Sequence, residues 1–583
     1  MSKIDLIPPS NGKEPIRTGL WTNFKQVFKK LFSGNSIRCK IPNVTLINKI
    51  VEKVNTSRMT FHSKIFPFSK IFTGSKVSHA EIENKSVEKA NAPGSISCSR
   101  TSFEHVMDCY KSAIELAYRE KNKWGMAYQR ELEAIGNAYE GGNKKEFVKL
   151  AKRAKALYYK AIKEISGSDA GARQYIVQTL NENKATWNTV INDIQFRGES
   201  GANYSVRSKT TPIREAGIFE HLTDGGTRGI SSNDRTSKHL VNAWETELTA
   251  PPSTPNGIPE TLFKGLRHGC INGDKSRADE LIQSAIYQQL DGANFGNLQN
   301  GDRVKLNLAS VQLLSHTRLA GDGKIGLNQI EELKKFLPAD GSDTVDFTIR
   351  VPDPSGSGGT VEKTIKLELN LLTFNFGVNL QTRLGLGKSK EEDAINLSNL
   401  EKMLGSDFTQ RKFSEENLPS GGLLKQHLEK ISDPQERKII LELANQIGDL
   451  WVSGKYREAA DNPYAMPARV ALLTYKLGFV SSFNCKSGKD RTGVCDAEIK
   501  QLATCIEANG RVPAIDEKPT EVDRVNFTNM HKLCGSHEVL QACTGVHGSK
   551  IPFMKRGFYN RFAEEFREEF FGVTNSFGIA NGG

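Results

Sequence analysis

The spacing of apolar side chains divides this 583-residue chain into three parts. Residues 1–100 show little sustained periodicity and few acidic side chains, which predicts a segment that is extended or disordered in isolation. Residues 101–200 carry apolar side chains at a helical spacing, which predicts a small helical bundle. Residues 201–583 mix strand and helix patterns, which predicts a larger α/β domain.

The second part contains two clear helical segments separated by Gly141-Gly142-Asn143. Their apolar positions are Phe103, Val106, Met107, Tyr110, Ile114 and Ala117, and then Phe147, Leu150, Ala151, Ala154, Leu157 and Tyr158. A third helix is predicted around Trp187 and Ile191. Such a bundle indicates an interaction module and by itself indicates no chemistry.

Three patterns in the third part predict how it is built. Residues 344–351 and 360–369 alternate apolar and polar side chains on either side of a Gly- and Pro-rich connection, which predicts a hairpin. Residues 476–484 suit a buried strand. Residues 492–510 suit a helix that ends at Gly510.

Charge is distributed unevenly along the chain. The net charge is +12, and residues 1–100 hold 17 Lys and Arg against 6 Asp and Glu. The other 483 residues hold 62 against 61. An anionic partner is therefore expected for the first segment alone, and we expect a membrane surface there and no nucleic acid.

The nine cysteines are scattered and include no Cys-x-x-Cys pair. This arrangement disfavours a disulfide scaffold and a zinc site, so reduced thiols are expected. No run of about 18 apolar residues is present to span a membrane. Residues 1–10 also lack the apolar core of a secretory signal peptide.

Two apolar islands interrupt the basic segment. In residues 20–32, large apolar side chains fall at helical spacing among lysines, so this segment could lie on an anionic membrane. Docking of the same helix on a partner or on the body of the protein is an equal alternative. Residues 64–72, KIFPFSKIF, could add as an extended segment to the surface of another protein.

The stretch NCKSGKDRTG, residues 484–493, carries the strongest chemical signal. A predicted strand precedes it, Gly488 permits close backbone approach, and a predicted helix follows. This order can direct successive backbone N–H groups and a helix N-terminus at one anion. Cys485 would be a thiolate nucleophile, and Arg491, six residues later, could grip two phosphate oxygens.

Other residues of the loop have expected roles as well. Thr492 could hydrogen-bond the sulfur and help it leave in a second step. Asp490 is the favoured general acid, with Asp461 as the alternative and a helix-cap role for Asp490 also open. The remaining loop residues, expected to bind substrate, are Lys486, Ser487, Gly488 and Lys489. The two lysines favour a substrate with several phosphates over a single phosphotyrosine.

The loop resembles that of the SopB/SigD/IpgD family of type III secreted inositol phosphate phosphatases. Shorter stretches in family order also resemble family segments, from residue 186 to residue 500 and more weakly to residue 555. They are TWNTVI (186–191), TLFKGLRHG (261–269), FNFGVN (374–379), LGSDF (404–408), NCKSGKDRTGVCDAEIK (484–500) and TGVHGSKIPFMK (544–555).

The resemblance implies a cysteine-dependent, metal-free and cofactor-free phosphatase domain. Its expected substrates are phosphoinositides and inositol polyphosphates, with phosphatidylinositol 4,5-bisphosphate converted to the 5-phosphate as the leading possibility. It supports Cys485 and Arg491 as nucleophile and clamp, and it points to Lys550 and Lys555 as substrate-binding residues. Arg267 and His268 are interpreted as a satisfied structural pair.

The resemblance also implies partners and a location. Residues 1–100 would hold a secretion signal, a chaperone-binding strand and a membrane-association segment, and residues 101–200 would bind a Rho-type GTPase such as Cdc42. The protein would act in the host cytosol and at host membranes. Two alternatives remain: a protein tyrosine phosphatase, and a GTPase-binding effector whose effect does not depend on catalysis.

Overall fold

The computed structural model describes most of the chain from residue 188 to residue 544 and parts on either side. The described residues are 125–138, scattered positions between 149 and 164, 188–213, 239–252, 257–315, 324–339, 341–353, 359–378, 390–458, 462–544, 558 and 560–564. They all belong to one compact unit, residues 93–583. The predictions for residues 1–100 therefore lie outside the described residues.

Eight strands form one mixed sheet. The strands are β1 (Val190–Arg197), β2 (Asn203–Pro212), β3 (Trp244–Ala250), β4 (Glu260–Gly269), β5 (Arg303–Gln312), β6 (Val345–Pro352), β7 (Thr360–Asn375) and β8 (Val480–Cys485). Their order across the sheet is β1-β2-β3-β4-β8-β5-β7-β6. The four strands β4, β8, β5 and β7 run parallel, and the outer strands pair antiparallel.

Helices lie before, between and after the strands. Within the described residues they are α1 (Gly125–Asn137), α2 (Lys275–Gly296), α3 (Ile325–Lys334), α4 (Lys390–Leu404), α5 (Gly422–Leu428), α6 (Pro434–Val452), α7 (Lys455–Glu458), α8 (Ala465–Lys476), α9 (Asp490–Asn509), α10 (Glu521–Leu533) and α11 (Ser536–Thr544). None of the helices so described is long and apolar enough to cross a membrane.

The sheet is covered on both faces because successive side chains of a strand point to opposite sides. On β5, Leu306 and Leu308 pack in a core with α2 and the end of α3. Ala309 and Val311 of the same strand pack in a larger core with α4, α5, α6, α8, α9 and α10. The result is a three-layer arrangement with the sheet in the middle.

The buried strand predicted over residues 476–484 is confirmed as β8, although it begins only at Val480, because Lys476 is the last residue of α8. All six residues of β8 are buried, since both of its faces are covered and both of its edges are paired. The hairpin predicted from residues 344–369 is also confirmed, because β6 pairs antiparallel with β7. The helix predicted to end at Gly510 is α9, and Gly510 adopts a φ of 62° at its C-terminus.

The third helix predicted in the second part is wrong at Ile191. This residue lies in β1, the edge strand of the sheet, so the sheet begins before residue 201. Ile191 is 56% exposed, and β1 is buried only towards its end. A short, half-exposed edge strand has too few buried positions to reveal its period of two. The bundle itself stays a prediction, since α1 and scattered helical positions are what is described of it.

Candidate active site

Cys485 lies at the centre of the sheet's carboxyl edge. It is the last residue of β8, and β8 is flanked by β4 and β5. Because these strands are parallel, their carboxyl ends meet at one edge, where α/β proteins commonly bind ligands. Residues 486–489 form a short loop, and α9 begins at Asp490. The N-terminus of α9 therefore lies close to the thiol in the chain.

Gly488 brings the loop into direct contact with the backbone at the end of β4. Gly488 has a φ of 69°, and a Cβ atom built there would lie 2.5 Å from the backbone nitrogen of Gly269 and 2.5 Å from the carbonyl carbon of His268. Real Cβ atoms do not approach backbone so closely, so only glycine fits. The contact fixes the depth at which the loop lies.

Two hydrogen bonds hold the loop to residues that lie next to β3 and β4. The backbone N–H of Cys270 donates to the carbonyl oxygen of Cys485 at 3.0 Å. The side-chain amide of Asn242 donates to the carbonyl oxygen of Ser487 at 2.7 Å. With two carbonyl oxygens bound on this side, the loop backbone is held in one arrangement.

The environment of Cys485 favours the thiolate. Burial by itself would raise the pKa of the thiol. The charge of Arg491, a hydrogen bond from the Thr492 hydroxyl and the backbone amides of Ser487 and Thr492 outweigh burial and lower the pKa below its usual value. Thr492 also accepts a hydrogen bond from the Cys485 N–H at 2.9 Å, so its hydroxyl is fixed beside the sulfur.

Arg491 is anchored at the end of the neighbouring strand. One terminal nitrogen of its guanidinium, Nη1, donates to the carbonyl oxygen of Leu313 at 3.0 Å, directly after β5. The residue is half-buried. A guanidinium presents its five N–H groups in a planar fork, which suits it to bind phosphate oxygens.

The two loop lysines occupy different environments. Lys489 is buried, with 2% of its surface exposed, and directly precedes α9. Lys486 and Ser487 are half-buried. The alternative to a phosphate-binding role for the two lysines is a solvated charged turn, which would expose both side chains. The burial of Lys489 disfavours this alternative for that residue.

Asp490 is half-buried in the first turn of α9, where a carboxylate is stabilised by the helix N-terminus. The alternative acid, Asp461, and the two further predicted lysines, Lys550 and Lys555, lie outside the described residues.

A buried charge cluster lies behind α9. Arg267 of β4 contacts the carboxylate of Asp496 at 3.2 Å, and Lys500 lies 3.5 Å from the same carboxylate. The Thr246 hydroxyl donates to Asp496 at 2.9 Å. The three charged side chains are fully buried. This cluster joins β3 and β4 to the helix that starts at the candidate site.

Arg267 and His268 are both fully buried, but they do not form the satisfied pair that the sequence predicted. They do not bond each other, and Nε and Nη2 of Arg267 have no hydrogen-bond partner in the part of the chain that the structure describes. The Nη1 atom of Arg267 bonds Asp496 and Ser536. His268 contacts the Gly269 carbonyl oxygen at 2.7 Å and Ser482 at 3.2 Å. Burial lowers the pKa of His268 to about 4, so the ring is neutral at physiological pH.

Sequence reasoning missed a network of amide side chains at the same edge of the sheet. Gln329 of α3 donates to Asn484 at 2.8 Å and to Ser310 at 3.1 Å, and it accepts from the Ile271 N–H. Asn375 accepts from the Leu314 N–H at 3.0 Å. These bonds tie the ends of β5, β7 and β8 together. Asn375 belongs to the FNFGVN stretch and is structural here.

The part of the chain that the structure describes contains no evident metal site. No group of three or more His, Cys, Asp or Glu side chains is placed there so as to hold an ion. Five cysteines whose side chains the structure describes are free and buried: Cys270, Cys485, Cys495, Cys505 and Cys534.

Comparison with known proteins places this chain among bacterial virulence proteins. Residues 84–560 match the family of the enterobacterial virulence protein IpgD. The inositol phosphate phosphatase SopB of Salmonella bongori is 28% identical over 396 residues, which are 66% of this chain and 89% of that protein. The inositol phosphate phosphatase IpgD of Shigella sonnei is 27% identical over 384 residues, which are 63% of this chain and 67% of that protein.

A solved structure has a related fold. The crystal structure of the Legionella phosphoinositide phosphatase SidF is similar with a TM-score of 0.50 and 11% identity, over 81% of this chain and 90% of that chain. At this identity the likeness concerns the fold alone. The family match, in contrast, spans most of the sequence, and the chain therefore belongs to the IpgD family of enterobacterial virulence proteins.

Proposed function

We propose that this chain is a cysteine-dependent phosphatase of phosphoinositides and inositol polyphosphates. The observation that carries the proposal is the thiol of Cys485, whose pKa is lowered by Arg491, Thr492 and backbone amides at the start of α9. The names of its relatives, inositol phosphate phosphatases, support the substrate class. The buried Lys489 beside Lys486 gives the loop the positive charge that a substrate with several phosphates requires.

The reaction proceeds in two steps. The Cys485 thiolate attacks phosphorus, an S–P bond forms, the ester P–O bond breaks, and the leaving alkoxide takes a proton from a carboxylic acid. Water then attacks the cysteinyl phosphate and gives a proton to the carboxylate formed in the first step, the S–P bond breaks to restore the thiolate, and inorganic phosphate leaves. Arg491 neutralises the phosphoryl oxygens in both steps, and the Thr492 hydroxyl stabilises the departing sulfur.

Phosphate release by the purified protein and its Cys485→Ser variant tests the proposal. The panel comprises the phosphatidylinositol bisphosphates, the trisphosphate, inositol polyphosphates and a phosphotyrosine peptide, all with a chelator present. We expect release from the inositol substrates, with phosphatidylinositol 4,5-bisphosphate as the leading one, and none from the variant. Release from the peptide alone, or release that survives Cys485→Ser, would overturn the proposal.

The general acid can be identified by comparing leaving groups. A protonated acid is needed for an inositol alkoxide but not for a nitrophenolate, which leaves as a stable anion. Replacement of the true acid by Asn should therefore slow inositol phosphate hydrolysis and spare nitrophenyl phosphate. We propose Asp490→Asn and Asp461→Asn as the matched pair, and the variant with the selective loss identifies the acid.

Other roles follow from the family. Its virulence description supports secretion into a host cell, where the enzyme would act in the cytosol and on host membranes. A secretion chaperone for residues 1–100, membrane attachment through residues 20–32, and binding of a Rho-type GTPase such as Cdc42 by residues 101–200 stay predictions. Activity of residues 101–200 alone in cells would favour the GTPase-binding alternative.

A further inference from the structure

A second cavity lies away from the phosphate-binding loop. It has a volume of about 460 Å³, within the range of small-molecule sites. Its walls come from α8, the second half of α9, the segment 513–519, α10 and residues 560–561. None of residues 485–492 lines it. The two sites thus lie along different parts of α9.

The carboxylates around this cavity already have partners. Glu498 accepts a bidentate pair of hydrogen bonds from Arg561. Glu199 and Glu517 both pair with Arg511. The two others are Asp516, which pairs with Lys455 at 3.2 Å, and Asp523, which accepts from the N–H and the hydroxyl of Thr520 at the start of α10. Four of the five carboxylates are therefore ion-paired within the protein, and Asp523 is hydrogen-bonded to neutral groups.

Arg469, on the contrary, is a buried cation with neutral partners. Its guanidinium donates to the side-chain oxygen of Gln446 at 2.7 Å and to the carbonyl oxygens of Ala465 and Pro513 at 3.2 and 3.1 Å. No described carboxylate lies within ion-pair distance of it. Burial lowers the pKa of Arg469 to about 10, so it stays charged at neutral pH. Glu498 acts on it at longer range and is bound to Arg561.

This arrangement leaves hydrogen-bonding capacity beside the cavity. A guanidinium has five N–H groups, and the three bonds above use three of them. A buried charge without a counter-ion is unfavourable, and a bound anion would relieve that penalty. Lys518 lines the same cavity, is exposed, and has no ion pair among the described residues.

The rest of the wall offers apolar surface. Leu502, Ile515, Pro519 and Ala514 line the cavity. Among the cations of the wall, Arg524 and Arg561 are paired with Glu521 and Glu498. Arg469 and Lys518 have no paired carboxylate among the described residues, so they match one negative charge better than the several charges of a polyphosphate. A ligand with one negative charge and an apolar body would therefore fit both the charges and the apolar wall of the cavity.

We infer that this cavity is a second binding site, for a small organic monocarboxylate with an apolar body, held by Arg469 and Lys518. It differs in chemistry from the candidate active site, where lysines and Arg491 favour multiply phosphorylated substrates. The inference does not depend on the proposed function, because the cavity and its charges are independent of Cys485.

The test is a fluorine NMR titration of the full-length protein with 4-fluorophenylacetate. The uncharged 4-fluorophenylacetamide serves as the matched probe. We expect saturable binding of the acid and at least ~10-fold weaker binding of the amide, because the amide lacks the charge that would pair with Arg469 and Lys518. Inositol hexakisphosphate, which should occupy the phosphate-binding loop, is expected not to displace the acid.

Protein variants assign the bound probe to this cavity. Lys518→Ala changes an exposed side chain and should weaken binding several-fold without affecting folding, whereas Lys438→Ala, an exposed lysine of α6 outside the cavity, should have no effect. Arg469→Met should abolish binding. If Arg469→Met does not fold, the affinity of Lys518→Ala for the probe decides whether the probe binds in this cavity. Absence of saturable binding, binding unchanged in Lys518→Ala, or displacement by the hexakisphosphate would each overturn the inference.

Discussion

At the scale of single residues, the candidate site depends on how a buried thiol is kept reactive. Burial of Cys485 opposes the thiolate, and the nearby positive charge and hydrogen-bond donors reverse that effect. Thr492 contributes twice, because it accepts from the Cys485 backbone and donates to the sulfur. Cys495 provides the contrast, since burial and the nearby Asp496 and Glu498 raise its pKa well above the usual value. The pKa values of two buried thiols ten residues apart are therefore shifted in opposite directions.

Replacement of Thr492 by Val should shift the reactivity of Cys485 to higher pH. Valine keeps the shape of threonine but removes the hydroxyl that stabilises the thiolate, so the pKa of the thiol rises. At any pH below that pKa a smaller fraction is thiolate, and alkylation by iodoacetate slows. The rate is followed at Cys485 by peptide mass spectrometry as a function of pH.

Thr492→Ser is the matched control, because it retains the hydroxyl. It should keep the midpoint of the wild-type alkylation profile. Equal profiles for Thr492→Val and the wild type would show that the hydroxyl does not contribute to the thiolate.

At the scale of elements, the loop between β8 and α9 takes its shape from β4. Gly488 lies against the backbone of His268 and Gly269, and Asn242 holds the carbonyl of Ser487. The positions of the N–H groups that would face a phosphate therefore depend on a strand more than 200 residues earlier in the chain.

We expect Gly488→Ala to reduce phosphatase activity by at least ~100-fold, since displacement of catalytic groups by about 1 Å has effects of that size. The new Cβ would lie 2.5 Å from backbone atoms of β4, so the loop must move. Measurement of kcat/KM on an inositol polyphosphate tests this.

Gly510→Ala is the comparison for that loop substitution. Gly510 also has a positive φ, 62°, but it ends α9 and its nearest neighbour is the flexible side chain of Gln435. This substitution should lower stability by about 1 kcal/mol and leave activity nearly intact. Similar activity losses in both variants would contradict a special role for the Gly488 contact.

At the scale of the whole molecule, the sheet and the helix layer are joined through buried charges. Asp496 of α9 is shared by Arg267 of β4, Thr246 of β3 and Lys500 of α9 itself. The Lys500 ammonium also donates to Ser208 of β2 at 2.8 Å and to the Cys534 carbonyl at 3.1 Å. One cluster therefore connects three strands, α9 and the segment between α10 and α11.

Asp496→Asn should lower the free energy of unfolding by about 3–5 kcal/mol, because it leaves two buried cations without a counter-ion. Urea denaturation measures the change. Asp346→Asn is the control, since the Asp346–Lys366 pair is mostly exposed and should contribute less than ~1 kcal/mol. If Asp496→Asn were as mild as the control, the cluster would not hold the layers together.

The sequence predicted the centre of the fold better than its edge. β8 is fully buried and α9 is 20 residues long, so the apolar pattern of each element is clear. The β6–β7 hairpin is local and was confirmed for the same reason. Ile191 was assigned to a helix because an edge strand with one covered side carries a weak pattern. Asn242 and Gln329 left no signal, since their partners, Ser487 and Asn484, are 245 and 155 residues away.

The sequence by itself determined the order strand, loop and helix, and the residue types Cys485, Gly488, Arg491 and Thr492 within it, because these depend on neighbours along the chain. It also determined the family to which the chain belongs. Only the tertiary structure decided that Lys489 is buried, that Arg491 is anchored at the end of β5, and that the loop rests on β4. The physical reason is that burial and hydrogen bonding depend on surfaces brought together from distant parts of the chain, and no local pattern records them.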